Sequence, residues 1–231
     1  MTLSHCHLKF DHQTLFEDFY FNLSSGLWTC ILGKSGVGKS SLLKILAGII
    51  QPNHIKDYTP LDVAYLPQQD CLMPWLSVWD NVFLGSRLRG ESYSSLQDKA
   101  KYLLERVGLA HAIHLKPASL SGGMRQRVAL VRTLLEDKPV ILMDEPFSGL
   151  DISTRLELHD LIRPLLQDKT VLLVTHDPLD AVRLADKIQF LNGEPALLSS
   201  PIELDEPTPR NLENPRVTQM YMHLLKELTC Q

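Results

Sequence analysis

The glycine-rich segment GKSGVGKSS, residues 33–41, has the residue types and spacing of a phosphate-binding loop. It fits the pattern G-x-x-x-x-G-K-[ST], in which glycines let the backbone wrap around a phosphate and point its amide N–H groups inward. We expect Lys39 to reach the β- and γ-phosphates of a nucleotide, and the Ser40 hydroxyl to complete the shell of a Mg²⁺ ion. The alternative is a glycine-rich turn that matches the pattern by chance.

The segments on either side of this loop favour the phosphate site. The apolar run 29–32 before the loop predicts a buried strand, and the residues from Ser41 onward predict a helix. The apolar face of that helix, at spacing i, i+3, i+4 and i+7, comprises Leu42, Ile45, Leu46 and Ile49. Such a helix directs its positive N-terminal end at the bound phosphates.

A pair of carboxylates follows a second apolar run. Residues 140–143 are VILM, which predicts a strand buried on both faces, and the run ends at Asp144 and Glu145. Two carboxylates at the rim of a core strand are costly unless a cation or a reaction needs them. We expect Asp144 to hold Mg²⁺ through its water shell and Glu145 to polarise an attacking water.

Three further polar sites lie at strand or helix ends. Gln68 follows the strand candidate 61–66, and His176 follows the buried run 171–174. Open α/β sheets bind ligands at the carboxyl ends of their strands, so we expect both side chains near the phosphates. The segment LSGGMRQR at 120–127 opens a helix with a serine and two glycines, which is again suited to an anion. The alternatives are a surface turn, a solvated histidine and a simple helix cap.

The elements around these sites alternate between strands and helices. Short β-like stretches are expected at 3–10, 14–23 and 27–32, a loop at 51–60, helices as far as about 117, and a last amphipathic helix at 217–228. A tail from residue 191 is rich in proline. The helix after Ser148-Gly149-Leu150-Asp151 is expected to bury Leu158, Leu161, Ile162 and Leu165.

Composition narrows the class of protein. The chain has 231 residues and a net charge of −4, with no basic run typical of a nucleic-acid footprint. No apolar run approaches the roughly 20 residues of a membrane span, so we expect a cytosolic or peripheral protein. Four scattered cysteines favour reduced thiols over a disulfide framework. Neither His5-Cys6-His7 nor the pair His111 and His114 is expected to bind a metal, because each lacks further ligands on the same face.

The ordered set GKSGVGKS, Gln68, LSGGMRQR, VILMDEP, SGLD and His176 resembles the nucleotide-binding subunit of ATP-binding cassette (ABC) transporters over nearly the whole chain. The resemblance implies a Walker A loop, a Walker B aspartate at Asp144, a catalytic glutamate at Glu145, a Q-loop glutamine at Gln68 and a switch histidine at His176. The remaining nucleotide-binding residues that it implies are Phe10 (stacked on adenine), Gly33, Lys34, Ser35, Gly36, Val37, Gly38, Lys39, Ser40, Ser41, Ser121, Gly122, Gly123 and Asp151. Ser40, Gln68 and Asp144 would hold Mg²⁺.

The resemblance also implies an architecture. We expect one α/β domain over 1–231 with the P-loop NTPase fold: a RecA-like core, an antiparallel β-subdomain, a helical subdomain inserted at about 72–130, and a tail at about 201–231. A head-to-tail homodimer would close around two ATP molecules. The implied partners are membrane permease subunits on the cytoplasmic face and, indirectly, a periplasmic or extracellular solute-binding protein. Nucleic acid is not expected.

Finer features resemble the ATPases of nitrate, sulfonate and taurine importers, a group that includes importers of thiamine precursors. The segment LMPWLSVWDNV carries the resemblance, together with Pro207, Pro209, Arg210 and Pro215 before the terminal helix. A non-transport ABC ATPase would share the catalytic motifs and is the alternative. A P-loop GTPase would need an N-K-x-D motif, which the sequence lacks.

Two departures from the family pattern leave questions open. The stretch between Gly48 and Gln68 is short, so we expect a trimmed β-subdomain, and Pro67 leaves the choice between Gln68 and Gln69 undecided. Pro74, Trp75 and Trp79 follow the glutamine, and we hypothesise that they form a surface for a permease helix. The alternative is that both tryptophans fill the core of the helical subdomain.

Overall fold

The fold was analysed in a computed structural model that describes residues 2–10, 13–58 and 62–230, apart from the side chains of Phe10 and Cys230. The strands are β1 (Thr2–Phe10), β2 (Gln13–Asn22), β3 (Trp28–Leu32), β4 (Asp57–Tyr58), β5 (Val63–Leu66), β6 (Val140–Asp144), β7 (Thr170–Thr175), β8 (Lys187–Asn192), β9 (Leu197–Leu198) and β10 (Ile202–Glu203). The helices are α1 (Lys39–Leu46), α2 (Val78–Val82), α3 (Leu84–Leu88), α4 (Gln97–Arg106), α5 (Gly122–Leu135), α6 (Ile152–Leu165), α7 (Pro178–Leu184) and α8 (Pro215–Cys230). Short 3₁₀ turns lie at Ser94–Leu96, Ala110–Ala112 and Pro117–Ser119.

The central sheet carries the predicted phosphate loop. Across the described ranges its strand order is β10-β8-β3-β7-β6-β5, with β9 added beside β8. The pairs from β8 to β5 are parallel, and the two short strands at the other edge are antiparallel. Every residue of β3 and β7 is buried, as expected for strands covered by structure on both faces. Since β3, β6 and β7 run in parallel, their carboxyl ends and the loops that follow lie at one edge.

A smaller antiparallel sheet of order β2-β1-β4 is the second layer beside α1. Strand β2 buries its phenylalanines, which pack with the apolar face of α1, while its charged residues are exposed. The segment 51–60 was expected to be a loop, but it contains β4, which pairs with the start of β1. That pairing is reinforced by the Ser4 hydroxyl, which donates to the Asp57 carboxylate at 2.6 Å.

Helices fill the segment between β5 and β6. Helices α2, α4 and α5 bury their apolar residues in the cluster that also covers one face of the central sheet. Of the residues expected on buried helix faces, two are exposed. Helix α1 ends at Leu46, three residues before Ile49, and Leu165 lies at the C-terminal end of α6, so neither faces the core.

No helix within the described ranges is long and apolar enough to cross a membrane.

Candidate functional site

The loop between β3 and α1 is shaped by contacts that require glycine at two positions. A Cβ atom on Gly33 would lie 2.6 Å from the carbonyl oxygen of Leu191, which is too close for any side chain. Gly38 caps α1 with φ at 111°, and a Cβ there would press against Leu15 and Phe16 at 3.2 Å. Glycine is therefore needed at both positions for the loop to pack against β8 and β2.

Lys39, the first residue of α1, lies inside the loop. Its Nζ donates hydrogen bonds to the carbonyl oxygens of Gly33 at 2.7 Å and Lys34 at 2.9 Å. The side chain is buried, and this burial lowers the pKa of Lys39 although Glu145 and Asp144 favour its charged form. A buried ammonium group within a ring of backbone atoms is well placed to bind a phosphate.

Ser40, the residue after Lys39, meets the Asp144 carboxylate at the end of β6. The Ser40 hydroxyl donates to Asp144 Oδ1 at 3.0 Å, and the Tyr65 hydroxyl lies 3.5 Å from Asp144 Oδ2. Burial raises the pKa of the Asp144 carboxyl, while the Ser40 hydrogen bond and the charge of Lys44 act in the opposite direction. A hydroxyl and a carboxylate are oxygen ligands of the kind that Mg²⁺ prefers, so the pair fits that ion.

Glu145 follows β6 and has an unusual backbone conformation. Its φ is 50°, in the left-handed region, and its amide N–H donates to the carbonyl of Val174 at 2.9 Å. The carboxylate is held at both oxygens: His176 Nδ1 lies 2.8 Å from Oε1, and Thr175 Oγ1 lies 3.3 Å from Oε2. Glu145 is 6% exposed, whereas the imidazole of His176 remains open to solvent. Strain of this kind often accompanies a functional position.

A cavity of about 200 Å³ brings Lys39, Ser40 and Glu145 together. Its lining consists of Ser35, Gly36, Gly38, Lys39, Ser40, Ser41, Gln68 and Glu145. Gln68 is therefore brought to the phosphate loop, and Gln69 is not among the lining residues. On the other side of the loop, Lys34 and Val37 contribute to a neighbouring cavity of about 410 Å³. Phe10, predicted to stack on adenine, lies outside the residues whose side chains are described.

Gly33, Asp144 and His176 do not line the 200 Å³ cavity, but each is hydrogen-bonded to a residue that does. The predicted residues of α5 and α6 have no such bond among the described residues. Ser121 caps α5, where its hydroxyl accepts from the Met124 N–H at 3.2 Å, and Gly123 lies so close to Leu150 that a Cβ would come within 2.9 Å of it. Gly122 is the first residue of α5. Asp151 caps α6, and hydrogen bonds from the Thr154 backbone and the Ser153 hydroxyl lower its pKa. Within one chain, these four residues and the phosphate loop are separate.

Sequence reasoning missed a group of buried polar residues behind Glu145. Thr175, the last residue of β7, contacts both Glu145 and Asp180. Asp180 on α7 is in turn approached by Arg155 and His159 from α6. The position of Thr175 just before His176 was the signal available, but a threonine at the end of a strand is common enough to pass unnoticed.

The two tryptophans have different environments. Trp79 is half-buried and packs against the core of this region, with its ring 4.9 Å from that of Phe83, so the core alternative fits this residue better than a surface role. The alternative that both are core residues is wrong for Trp75, which is 67% exposed. Beyond the loop, no group of three or more His, Cys, Asp or Glu side chains suited to a metal occurs in the part of the chain that the structure describes.

Comparison with known proteins gives consistent matches. The family model described as "ABC transporter" matches residues 16–148. An uncharacterized ABC transporter ATP-binding protein of Haemophilus influenzae is 44% identical over 228 residues, which cover 96% of this chain and 95% of that protein. The aliphatic sulfonates import ATP-binding protein SsuB 1 of Streptomyces avermitilis is 38% identical over 95% of this chain and 83% of its own length.

Solved structures agree with the sequence matches. A dimeric bacterial ABC transporter cassette superposes with a TM-score of 0.79 at 27% identity, covering 90% of this chain and 100% of that one. A dimeric ATP-binding cassette in a post-hydrolysis state, bound to ADP and Pi, has a TM-score of 0.78 with the same coverage. The fold is therefore that of a P-loop NTPase cassette, and the chain belongs to the ABC transporter family, as an ATP-binding and ATP-hydrolysing subunit.

Proposed function

We propose that this chain energises the import of a small solute through a membrane permease, and that it does so on the cytoplasmic face of the membrane. The relatives named as aliphatic sulfonate importers support import, and they make an organic sulfonate the first solute to test. The observation that carries the ATPase part is the cavity lined by Lys39, Ser40 and Glu145, with Asp144 bonded to the Ser40 hydroxyl.

The proposed roles follow from the chemistry of each group. The loop N–H groups and the Lys39 ammonium bind the β- and γ-phosphates. Ser40, Asp144 and Gln68 would hold Mg²⁺, which when bound supplies positive charge to the transferring phosphoryl group. Glu145 polarises the attacking water. His176 holds Glu145 and lies exposed at the strand end, where it can bond the γ-phosphate.

A second copy of the chain completes the proposed site. Ser121, Gly122, Gly123 and Asp151 are separate from the phosphate loop of their own chain, so they contribute only if a partner's loop is brought against them. Ser121 and Asp151 are exposed at the starts of α5 and α6, and the first N–H groups of α5 suit an anion. The dimeric cassettes among the structural neighbours support a head-to-tail arrangement.

A groove beside Gln68 is the proposed permease contact. It is lined by Val63, Ala64, Tyr65, Pro67, Cys71, Leu84, Gly85, Leu88, Arg132, Thr133 and Glu136. Leu88 is strongly exposed at its edge, and Trp75 is exposed in the segment between Gln68 and α2. An apolar groove of this kind suits a short amphipathic helix of a permease. Because Pro67 precedes Gln68, a helix seated there would respond to movement of the Q-loop.

The test is transport in a cell that lacks the chromosomal copy of this chain. We expect ATP-dependent uptake of an aliphatic sulfonate to return with the wild-type chain and not with Glu145→Gln, and the chain to co-purify with a membrane permease. A non-transport ABC ATPase would hydrolyse ATP but restore no uptake of any solute and bind no permease. That result would overturn the import proposal while leaving the ATPase assignment intact.

A further inference from the structure

The hydroxyl of Thr175 lies at the centre of a buried polar group that the roles above do not use. Thr175 Oγ1 is 2.9 Å from Asp180 Oδ2 and 3.3 Å from Glu145 Oε2, and it accepts the N–H of Asp177 at 3.1 Å. Thr175 is 1% exposed and Asp180 is 2% exposed. A hydroxyl carries one proton, so it donates to one of the two carboxylates at a time and rotates between them.

Asp180 is kept in place by cationic or polar groups on a different helix. His159 Nε2 lies 3.1 Å from Asp180 Oδ1, at ion-pair distance but without the alignment of a hydrogen bond, and Arg155 Nη1 lies 3.8 Å from the same oxygen. Arg155 is also paired with Asp177. Arg155 and His159 therefore stay beside the buried carboxylate of Asp180 when the Thr175 hydroxyl donates to Glu145.

The orientation of the Glu145 carboxylate depends on its hydrogen-bond partners. Its backbone is in the left-handed region, and its two carboxylate oxygens contact two consecutive residues, Thr175 and His176. If either contact is lost, the carboxylate can rotate about its last side-chain bond, and a water bound to it moves away from the line of attack.

We propose that Thr175 is a positioning residue for ATP hydrolysis: its oxygen accepts the Asp177 N–H, and its proton turns from Asp180 to the second oxygen of Glu145 while His176 holds the first. The inference rests on the proposed role of Glu145 as the group that polarises water. Thr175 is 1% exposed, unlike His176, so its hydroxyl is closed off from a bound nucleotide and acts through Glu145.

The experiment compares three variants of the full chain. Thr175→Val removes the hydroxyl and keeps the β-branched shape of a strand residue, whereas Thr175→Ser keeps the hydroxyl. Thr29→Val is the matched control, because Thr29 is buried on the neighbouring strand β3 and its hydroxyl has no hydrogen-bond partner among the described residues. For each variant we would measure kcat and KM for ATP hydrolysis, ATP affinity by calorimetry, and the melting temperature.

We expect Thr175→Val to lower kcat roughly tenfold, with ATP affinity and KM within about twofold of wild type, because the groups that bind phosphate keep their contacts. The bonds to Asp180 and the Asp177 N–H are lost as well, and that loss should lower the melting temperature. Thr175→Ser should recover most of the rate, and Thr29→Val should match wild type.

A wild-type kcat for Thr175→Val would overturn the proposal. Equal losses in Thr175→Val and Thr175→Ser would overturn it as well, because they would show that the hydroxyl is not responsible. A loss of ATP affinity parallel to the loss of kcat would overturn it too. If instead Glu145→Gln hydrolyses ATP at the wild-type rate, the role of Glu145 itself fails, which is a separate result.

Discussion

Glu145 is nearly buried, and its carboxylate contacts His176 and Thr175. We expect Glu145→Gln to bind ATP normally and to lose at least about 100-fold in turnover, because an amide cannot polarise the attacking water. The Ser40–Asp144 pair is untouched by this change, so phosphate and metal binding should survive. Single-turnover hydrolysis and calorimetry together check the prediction, and hydrolysis at the wild-type rate would contradict it.

Substitution of Lys39 should weaken the binding of ATP more than it slows the hydrolysis step. Its ammonium group is held by two loop carbonyls at the place where a phosphate would bind. We expect Lys39→Ala to weaken ATP affinity by roughly 10- to 100-fold, which corresponds to the loss of a charge-assisted hydrogen bond. Calorimetric titration measures the change directly. Lys101→Ala removes an exposed lysine from α4 and is the control, and an unchanged affinity in Lys39→Ala would refute the assignment.

At the scale of single elements, the buried strands were predictable from sequence. Strands β3, β6 and β7 are covered on both faces, and such strands appear in the sequence as short apolar runs that end in polar residues. Strand β4 could not be found in this way, because its two residues become a strand only by pairing with β1. Ile49 was misplaced because helical spacing continues in the sequence after α1 has ended.

The site was predictable only where its residues are close in sequence or belong to a motif. The loop from Gly33 to Ser41 is a local pattern, and its geometry needs glycine for reasons that a sequence can express. Thr175 meets Glu145 across 30 positions of the chain, and its place before His176 is the only local sign of it; Asp180 is connected to this group through Thr175. The contact between Thr175 and Glu145 is a consequence of strand order, which places the end of β7 beside the end of β6.

The segment around α2 offers a prediction at the same scale. Trp75 is exposed before α2, and Trp79 packs on Phe83 within it. We expect Trp75→Ser to leave the melting temperature nearly unchanged and Trp79→Ser to lower it by several degrees, since Trp79 is half-buried and would lose its packing on Phe83. Thermal denaturation of the two variants tests this.

Co-purification with a permease tests the proposed role of Trp75 as an anchor for a permease helix. If the exposed surface around Trp75 receives a permease helix, the Trp75→Ser variant should fold and hydrolyse ATP normally but no longer co-purify with the permease. Destabilised protein that still co-purifies with its permease would show that Trp75 is a structural residue and not an anchor.

At the scale of the whole molecule, the two halves of the proposed nucleotide site lie apart. Lys39 lines the phosphate cavity, whereas Ser121 is exposed at the start of α5 and does not line it. A head-to-tail dimer would pair each phosphate loop with the signature residues of the other chain, in two equivalent sites. Each working site therefore needs one residue from each chain, and this dependence can be measured.

We expect Ser121→Arg and Lys39→Ala chains to be inactive as homodimers and active when mixed. In the mixed dimer, Lys39 of one chain faces Ser121 of the other, so one intact site forms beside one that carries both substitutions. Random exchange makes about half of the dimers mixed, and the mixture should therefore recover at most about one quarter of the wild-type rate. ATP hydrolysis measured against mixing ratio should peak at equal amounts of the two chains. Ser121→Arg also removes a helix cap, at a cost of about 1 kcal/mol, so its folding must first be confirmed by melting. If both variants fold and dimerise together, and yet no activity returns, then each chain uses its own signature residues and the composite site does not exist.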